Sequence, residues 1–297
     1  MPQRIGTLVS GILSLALMLP GDGHAQNQTP RHFVVNVRGD YERARAVGFN
    51  LADVSTPAAL FALPDGVKGI LWLGNGYNAT CNWTRSDEAI RKDVLAVKDH
   101  PRSSNIYFIA DEPHPAKCPE AAAALASRSD LIRSLDPRAK TFAVILNGHA
   151  DPTEFEKLRD ATDYVGVDPY PCTQGNLMTG CDLTSMERRI KQAFNAGITA
   201  DRLVPVFQAF GQSCAGGKRN YYRRPSVAET RNMLALWDSL SPLRERPFDM
   251  TYSWASQPRV ACPTLANPDD REGQALKETY RAYFAARAAA AERTHRP

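Results

Sequence analysis

The feature that most constrains this chain is a repeated alternation between short apolar runs and longer amphipathic runs. Eight such pairs follow one another after residue 31. The apolar runs span residues 33–37, 49–54, 67–73, 106–112, 141–146, 164–170, 203–210 and 250–254. The amphipathic runs span residues 40–47, 57–63, 86–98, 119–135, 152–161, 183–196, 226–240 and 272–287. Continuous apolar runs of this length are typical of parallel strands that helices cover on both faces, so the pattern predicts a parallel α/β fold.

Eight strand–helix pairs in about 250 residues favour a closed barrel over an open, doubly wound sheet. An open sheet that binds a dinucleotide would carry a glycine-rich phosphate loop after its first strand, and residues 36–40 lack the G-x-G-x-x-G pattern. No low-complexity linker and no second hydrophobic block divides the chain. The sequence therefore predicts a single-domain (β/α)8 TIM barrel over residues 26–297.

The N-terminal segment, residues 1–25, is typical of a signal peptide that is removed after export. Arg4 supplies the positive charge, residues 5–20 are almost wholly apolar, and residues 23–25 place small side chains at the two positions that determine cleavage. An N-terminal membrane anchor is the alternative, but the apolar run is short for a span of about 20 residues. We expect a secreted or periplasmic monomer with no stable membrane insertion after cleavage.

The six cysteines are an even number in an exported chain and predict three disulfides. They form no C-x-x-C pair of the kind found in zinc sites. On the barrel, all six fall in the loops that follow strand ends, where neighbouring loops can bring Cα atoms within the roughly 4.4–6.8 Å that a disulfide needs. We predict the pairs Cys81–Cys118, Cys172–Cys181 and Cys214–Cys262.

Composition and motifs disfavour several other functions. The net charge of +4, without a Lys/Arg run or a basic stripe, gives no reason to expect a nucleic-acid partner. The six histidines lack H-x-H or H-E-x-x-H spacing, so neither a metal nor a cofactor is expected. No G-x-S-x-G motif occurs, which argues against the usual acyl-hydrolase chemistry.

The predicted strand ends carry mostly carboxylates, amides and aromatic side chains, and in a (β/α)8 barrel these ends form the active-site face. The candidates for contacts with substrate are Asp53, Asn147, Tyr170, Gln208, Tyr252 and Trp254. Aromatic rings can pack against sugar faces, and amides and carboxylates can bond to sugar hydroxyls. We expect an oligo- or polysaccharide substrate with Trp254 as its stacking floor, although Trp254 and Tyr170 could instead be packing residues.

Two adjacent carboxylates, Asp111 and Glu112, close the apolar fourth strand. Glycoside hydrolysis needs a carboxylic acid that protonates the leaving oxygen and a second group that stabilises or attacks the sugar cation. We therefore predict Glu112 as the proton donor, Asp111 as a substrate-positioning group and Asp168 as the base or second carboxylate. The alternatives are a structural ion pair for Glu112, a loop cap for Asp111 and a rigid loop start at Asp168.

The Asp-Glu-Pro segment at residues 111–113 resembles (β/α)8-barrel glycoside hydrolases, many of which carry Asn-Glu-Pro or Asp-Glu-Pro at the end of strand four, with the Glu as acid/base. Further stretches are similar to features of such barrels, namely residues 99–101, 167–171, 205–211, 224–231 and 252–254. The resemblance covers about residues 32–287. It implies the barrel fold and a glycosidase activity.

One position departs from the family pattern. The large retaining group places a nucleophilic Glu at the end of strand seven, where this chain has Gln208. A neutral amide cannot form the usual glycosyl ester, so two routes stay open. Asp111 could orient a 2-acetamido group that attacks its own anomeric carbon, as in families that act on N-acetylhexosamines, or Asp168 could act opposite Glu112. An inverting pair would stand about 6.5–9.5 Å apart and a retaining pair about 5–5.5 Å apart.

The sequence therefore predicts a glycoside hydrolase, or a related glycan-processing enzyme, that works by carboxylate acid/base catalysis without metal or cofactor. Gln208 favours the alternative of a non-catalytic carbohydrate-binding barrel that has lost the strand-seven nucleophile. A third hypothesis is a secreted barrel hydrolase that acts on a non-sugar substrate.

Overall fold

The computed structural model describes residues 29–146, 153–214, 220–241, 246–267 and 270–293. Its strands are β1 (His32–Val34), β2 (Leu51–Val54), β3 (Lys68–Trp72), β4 (Ser103–Asp111), β5 (Lys140–Ile145), β6 (Tyr164–Val167), β7 (Leu203–Gln208) and β8 (Asp249–Tyr252). Each strand pairs in parallel with the next, and β8 pairs with β1, so the sheet closes. The predicted (β/α)8 TIM barrel is confirmed. The segment interpreted as a signal peptide, residues 1–25, lies outside the described residues.

One α-helix follows each strand and packs on the outside of the barrel. The helices are α1 (Tyr41–Val47), α2 (Pro57–Phe61), α3 (Asp87–Val97), α4 (Ala121–Leu135), α5 (Glu154–Leu158), α6 (Leu183–Asn195), α7 (Val227–Leu240) and α8 (Arg271–Arg293). The Ser226 hydroxyl accepts the Glu229 N–H (3.3 Å), and the Glu229 carboxylate accepts the Ser226 N–H (2.9 Å), so a capping box begins α7. No helix in the described ranges is both long enough and apolar enough to cross a membrane.

Apolar side chains fill the barrel and the layer around it, because successive strand residues point to opposite faces of the sheet. The inner cluster includes Phe33, Leu51, Ile70, Phe108, Phe142, Val144, Val206 and Met250. The layer between strands and helices includes Val34, Ala52, Leu71, Tyr107, Ile145, Val165 and Phe207. The barrel is thus a packed core and not a pore, which leaves the carboxyl ends of the strands as the place for polar chemistry.

A β-bulge in β4 sets which side chain faces the barrel. Phe108 pairs with Phe142 and Asp111 pairs with Val144, but the register shifts between Phe108 and Ala110. Phe142 and Val144 both belong to the inner cluster. The extra residue in β4 therefore turns Asp111 toward the barrel interior, as bulges near functional sites often do.

The three predicted disulfides are confirmed. Cys81–Cys118 joins the loops after β3 and β4, Cys172–Cys181 closes the loop after β6, and Cys214–Cys262 joins the loops after β7 and β8; their Cα–Cα distances are 5.3, 4.3 and 5.0 Å. All three lie on the face where the strands end. They hold together the loops that surround the barrel mouth.

The opposite end of the barrel is closed by a buried cluster of charges. The fully buried carboxylate of Asp249, at the start of β8, lies 3.0 Å from His32 Nδ1 and 2.5 Å from Arg287 Nη1. Burial raises the pKa of Asp249, but the charges of His32 and Arg287 and the hydrogen bond with His32 outweigh it, so the pKa lies below its ordinary value. This carboxylate stays charged inside the protein.

Candidate active site

A cavity of about 570 Å³ opens where the strands end, and we call it the main cleft. Four carboxylates line it: Asp53, Asp111, Glu112 and Asp168. Aromatic side chains form much of the rest: Trp72, Phe108, Tyr170, Phe210, Tyr222 and Tyr252. The cleft lies above the apolar inner cluster and has the size of a small-molecule site.

Glu112 leaves β4 in a left-handed backbone conformation, with φ of 51°. Few non-glycine residues adopt this region, and such residues are often found at functional sites. Its N–H donates to the carbonyl of Val144 (3.0 Å), which anchors the turn on β5. In a regular strand Asp111 and Glu112 would point to opposite faces. The turn brings both carboxylates to the main cleft instead.

Asp111 is held by Asn75, from the loop after β3. The Asp111 N–H donates to Asn75 Oδ1 (2.9 Å), and Asn75 Nδ2 donates to the Asp111 carbonyl (3.1 Å). Burial, with the negative charge of Glu112 beside it, raises the pKa of Asp111 to about 7. Asp111 therefore keeps its proton through the mildly acidic range, where an ordinary aspartate is charged.

Asp168 follows β6 directly and is only 2% exposed. Burial raises its pKa well above the ordinary value, and the charges of Glu112 and Asp111 and a hydrogen bond with the Glu112 side chain raise it further. Asp168 therefore keeps its proton at pH values where an ordinary aspartate is charged. Glu112 is the more exposed of the two.

Glu112 and Asp168 lie within hydrogen-bonding distance of each other. In such a dyad like charges cannot both form easily, so one proton is retained. A directly hydrogen-bonded pair leaves no room for a sugar between its carboxyl groups, unlike a retaining pair at about 5–5.5 Å or an inverting pair at about 6.5–9.5 Å.

Asp53 lies on β2, where its carboxylate accepts the Val37 N–H (3.1 Å). Burial raises the pKa of Asp53, against the lowering effect of backbone hydrogen bonds from Val37 and Asn36. Asp53 lines the main cleft, and its contact with a sugar hydroxyl stays a prediction.

An aromatic wall, formed by Tyr170, Phe210, Tyr222 and Tyr252, closes one side of the main cleft. The ring centroids of Tyr170 and Phe210 are 5.1 Å apart, those of Phe210 and Tyr252 4.9 Å, and those of Tyr170 and Tyr222 5.6 Å. Tyr170 follows β6, Phe210 and Tyr222 follow β7, and Tyr252 ends β8. Trp72, from β3 on the other side of the barrel, also lines the cleft. The rings present flat apolar surfaces beside the carboxylates, an arrangement that suits sugars.

Two predicted contact residues lie away from the cleft, and the sequence interpretation is corrected there. Trp254 is fully buried, packs beside Phe49 and donates from Nε1 to Asp40 (2.8 Å), so it has no free face for stacking. Gln208 is also fully buried, and its amide bonds to backbone groups. Asn147 lies outside the described residues.

Sequence reasoning missed several residues of the cleft. Tyr222 comes from the loop after β7, where no periodic pattern marks it. Gln257 accepts a hydrogen bond from the Tyr252 hydroxyl and donates to Asn36 Oδ1 (2.6 Å), which forms a polar chain at the rim. Trp72 ends β3, and its place at a strand end is the sequence signal that could have found it.

A grouping of potential metal ligands occurs among the described residues at Cys172, Cys181 and Glu229. The two sulfur atoms are bonded to each other in a disulfide, so they are not available as thiolate ligands.

No protein-family model matches the sequence. No curated protein matches it either.

Solved glycoside hydrolases have similar folds. A β-glucanase from Saccharophagus degradans superposes with a TM-score of 0.55 and 12% identity, over 88% of this chain and 88% of that chain. A GH128 (subgroup I) endo-β-1,3-glucanase from Amycolatopsis mediterranei gives 0.54 and 12%, over 86% and 99%. A β-D-glucuronidase from Dictyoglomus thermophilum gives 0.54 and 14%, over 85% and 50%. At these identities the likeness shows a shared barrel fold.

The chain is shorter than several other matched proteins. It covers 28% and 30% of the length of two β-glucuronidase structures from Bacteroides uniformis, and 36% of a putative β-galactosidase from Bacteroides fragilis.

Proposed function

We propose that this chain is a glycoside hydrolase that cleaves a glycosidic bond by carboxylate acid/base catalysis, with Glu112 delivering the proton. The observation that carries the proposal is the convergence of Asp111, Glu112 and Asp168 in one cleft beside aromatic rings. The structural neighbours include glucanases solved in complex with laminarihexaose and with cellotetraose. They support an oligo- or polysaccharide as the substrate.

The Glu112–Asp168 dyad supplies the proton for the leaving oxygen. In the resting dyad the proton resides on Asp168. It passes along the hydrogen bond to Glu112, which is the more exposed partner, and from Glu112 to the glycosidic oxygen as the bond to the anomeric carbon breaks. Both carboxylates are then charged, and they stabilise the positive charge that develops on the sugar.

The second catalytic group is the 2-acetamido group of the substrate. Gln208 lies outside the cleft, and Asp168 is hydrogen-bonded to the acid itself, so neither stands where a separate nucleophile would be needed. Asp111 would accept the acetamido N–H and orient the carbonyl oxygen, which forms a bond to the anomeric carbon as the leaving oxygen departs. Water, deprotonated by Glu112, then opens the cyclic intermediate.

We also propose that the protein works as a monomer in a secreted or periplasmic location. Three disulfides stabilise the loops around the cleft. Such bonds persist in oxidising compartments. The segment of residues 1–25 would direct the export.

Assays on aryl glycosides and polysaccharides, with 2-acetamido sugars included, test the proposal. Glu112→Gln removes the proton donor and should lower kcat by roughly 10²–10⁴-fold. Asp168→Asn cannot hold the shared proton and should shift the pH dependence of kcat/KM as well as its size. Glu292→Gln, at the far end of α8, and Asp201→Asn, exposed before β7, are the matched controls that should keep full activity. If the Glu112→Gln variant kept its turnover, Glu112 could not be the proton donor.

A non-catalytic carbohydrate-binding barrel is the second candidate. The absence of an acid at Gln208, the end of β7, favours it. Binding of glycans in the main cleft, without turnover of any member of the panel by the wild-type protein, would support this reading over the first.

A further inference from the structure

A second cavity, of about 620 Å³, adjoins the main cleft. Asp168, Tyr170, Gln212 and Tyr222 line both spaces. The second cavity extends from these shared residues along the loop after β6 and the first turns of α6. Its volume falls in the roughly 300–1,000 Å³ range of ligand sites. The two cavities are therefore neighbours, separated by these shared side chains.

Arg189, on α6, brings a positive charge into this second cavity. One of its N–H groups donates to the carbonyl of Leu146 (3.2 Å), a residue that lines the main cleft. A guanidinium has five N–H donors. None of the ion pairs formed within the described ranges includes Arg189. Arg189 is half-buried at the junction of the two cavities, and most of its N–H donors are available to a ligand.

Within the described ranges, the acidic groups of the second cavity form no ion pair with Arg189. The Asp182 carboxylate accepts the Ser185 N–H (2.8 Å) and caps α6. Asp168 holds the shared proton of the dyad and is neutral in that state. An anion placed beside Arg189 would thus meet a positive charge that no carboxylate pairs with in the described residues, in a partly enclosed space where the attraction is stronger than in bulk water.

The rim of the second cavity is aromatic. Tyr221 is 64% exposed, and its ring lies edge-on to Tyr222 at 4.8 Å between centroids. Both rings line the cavity. Exposed rings of this kind offer surfaces for the apolar faces of sugars, so the cavity combines a sugar platform with a cation.

We propose that the second cavity binds an acidic sugar unit, whose carboxylate or sulfate group pairs with Arg189. The inference rests on the proposed glycosidase function and narrows its substrate to an anionic glycan. Because Asp168 and Tyr170 border both spaces, the acidic unit would be adjacent to the unit at the cleaved bond. A planar guanidinium matches a carboxylate with two parallel hydrogen bonds, which makes a uronic acid the better fit.

Calorimetric binding to the Glu112→Gln variant tests the proposal without turnover. The carboxylate probes are tetragalacturonate and a hyaluronan tetrasaccharide, the sulfate probe is a keratan sulfate tetrasaccharide, and the neutral probes are chitotetraose and cellotetraose. We expect at least one acidic probe to bind about tenfold more tightly than the neutral ones, as charged hydrogen bonds allow. Comparing the affinities of the carboxylate probes with that of the sulfate probe then identifies which anionic group the cavity binds.

Arg189→Met keeps the apolar stem of the side chain and removes its charge. It should weaken binding of the acidic probe by about tenfold and leave neutral probes unchanged. Arg188→Met is the matched control, because Arg188 is exposed on the same helix and lines neither cavity. Thermal unfolding of each variant checks that it is folded.

Equal binding of acidic and neutral probes, no loss in Arg189→Met, or no binding of any probe would overturn the proposal. These outcomes are separate from those of the hydrolase assays. Selective, Arg189-dependent binding by a wild-type protein that cleaves no glycan would contradict the proposed hydrolysis alone. Cleavage of neutral chains at rates unaffected by Arg189→Met would contradict the acidic subsite alone.

Discussion

The side-chain amide of Gln208 hydrogen-bonds both backbone groups of Cys172. Its Oε1 accepts the Cys172 N–H (2.9 Å), and its Nε2 donates to the Cys172 carbonyl (2.9 Å) and to the Arg223 carbonyl (2.9 Å). Gln208 thus ties the end of β7 to the loops after β6 and β7. The residue at the end of β7, where the resemblance to retaining glycosidases would place a nucleophile, serves here to hold loop backbones together.

Gln208→Glu should therefore not create a retaining glycosidase. The carboxylate would face two carbonyl oxygens that now accept hydrogen bonds, and unsatisfied buried groups cost about 1–3 kcal/mol each. We expect a loss of roughly 2–4 kcal/mol in the free energy of unfolding by urea, with no new activity. Gln174→Glu, at a surface position, should change it by less than about 0.5 kcal/mol. A stable variant with increased turnover would contradict this assignment.

Trp254→Phe should affect stability more than substrate binding. The change removes the hydrogen bond from Nε1 to Asp40 and leaves space in the core. The expected loss in unfolding free energy is roughly 1–3 kcal/mol. The KM of the folded enzyme should stay unchanged, whereas Tyr252→Phe, at the cleft, should alter kcat or KM on the same glycan. If Trp254→Phe changed KM without any loss of stability, Trp254 would have to be placed in the substrate site.

Asp111 should make the folded protein less stable as the pH rises from about 4 to about 7. Its pKa in the folded state is raised to about 7, so the folded chain binds this proton more tightly than the unfolded chain, whose aspartates titrate near about 3.9. Asp111→Asn removes the effect. Relative to the wild type, the free energy of unfolding of this variant should therefore rise by up to about 1.4 kcal/mol per pH unit across this window. Urea unfolding at a series of pH values measures this difference.

The control for this prediction is Asp201→Asn, which replaces an exposed carboxylate. Its difference from the wild type should stay nearly constant over the same pH range. Parallel pH profiles for Asp111→Asn and the wild type would mean that Asp111 is ionised in the cleft at mildly acidic pH.

Asp249→Asn should be strongly destabilising, because it leaves the buried Arg287 guanidinium and the His32 ring without their carboxylate. Breaking a buried pair costs about 3–5 kcal/mol. The folded-state pKa of Asp249 is lowered, so its stabilisation is present above the unfolded-state value of about 3.9 and is lost as the pH falls through the folded-state pKa. The free energies of unfolding of the wild type and of Asp249→Asn, measured by chemical unfolding from neutral to acidic pH, should become equal only in strong acid.

The barrel and its disulfides were predictable because they depend on regular patterns. The alternation of strand and helix patterns repeats along the chain. All six cysteines follow strand ends, so in the closed barrel each cysteine has few partners in its own loop or in a neighbouring one. The carboxylates Asp111, Glu112 and Asp168 were found for the same reason, since strand ends converge in any such barrel.

The departures from regular strands were not predictable. The strand β8 ends at Tyr252, so Trp254 follows a different path from the one that a continued strand would give it. Gln208 does end β7, but its use depends on the loop backbones that surround it, which no local pattern encodes. Glu112 reaches the cleft through a left-handed turn, and neither this turn nor the bulge before it has a sequence signature.

The bulge in β4 makes the acidity of the cleft depend on strand geometry as well as on residue type. Asp111 stands three residues after the inward-facing Phe108, and in a regular strand this odd step would turn it toward the surrounding helices. A homologous barrel that kept this spacing but lacked the bulge would retain the Asp-Glu-Pro motif and lose the aspartate from its cleft. Motif comparison alone would overlook that change, whereas the pairing register between β4 and β5 would reveal it.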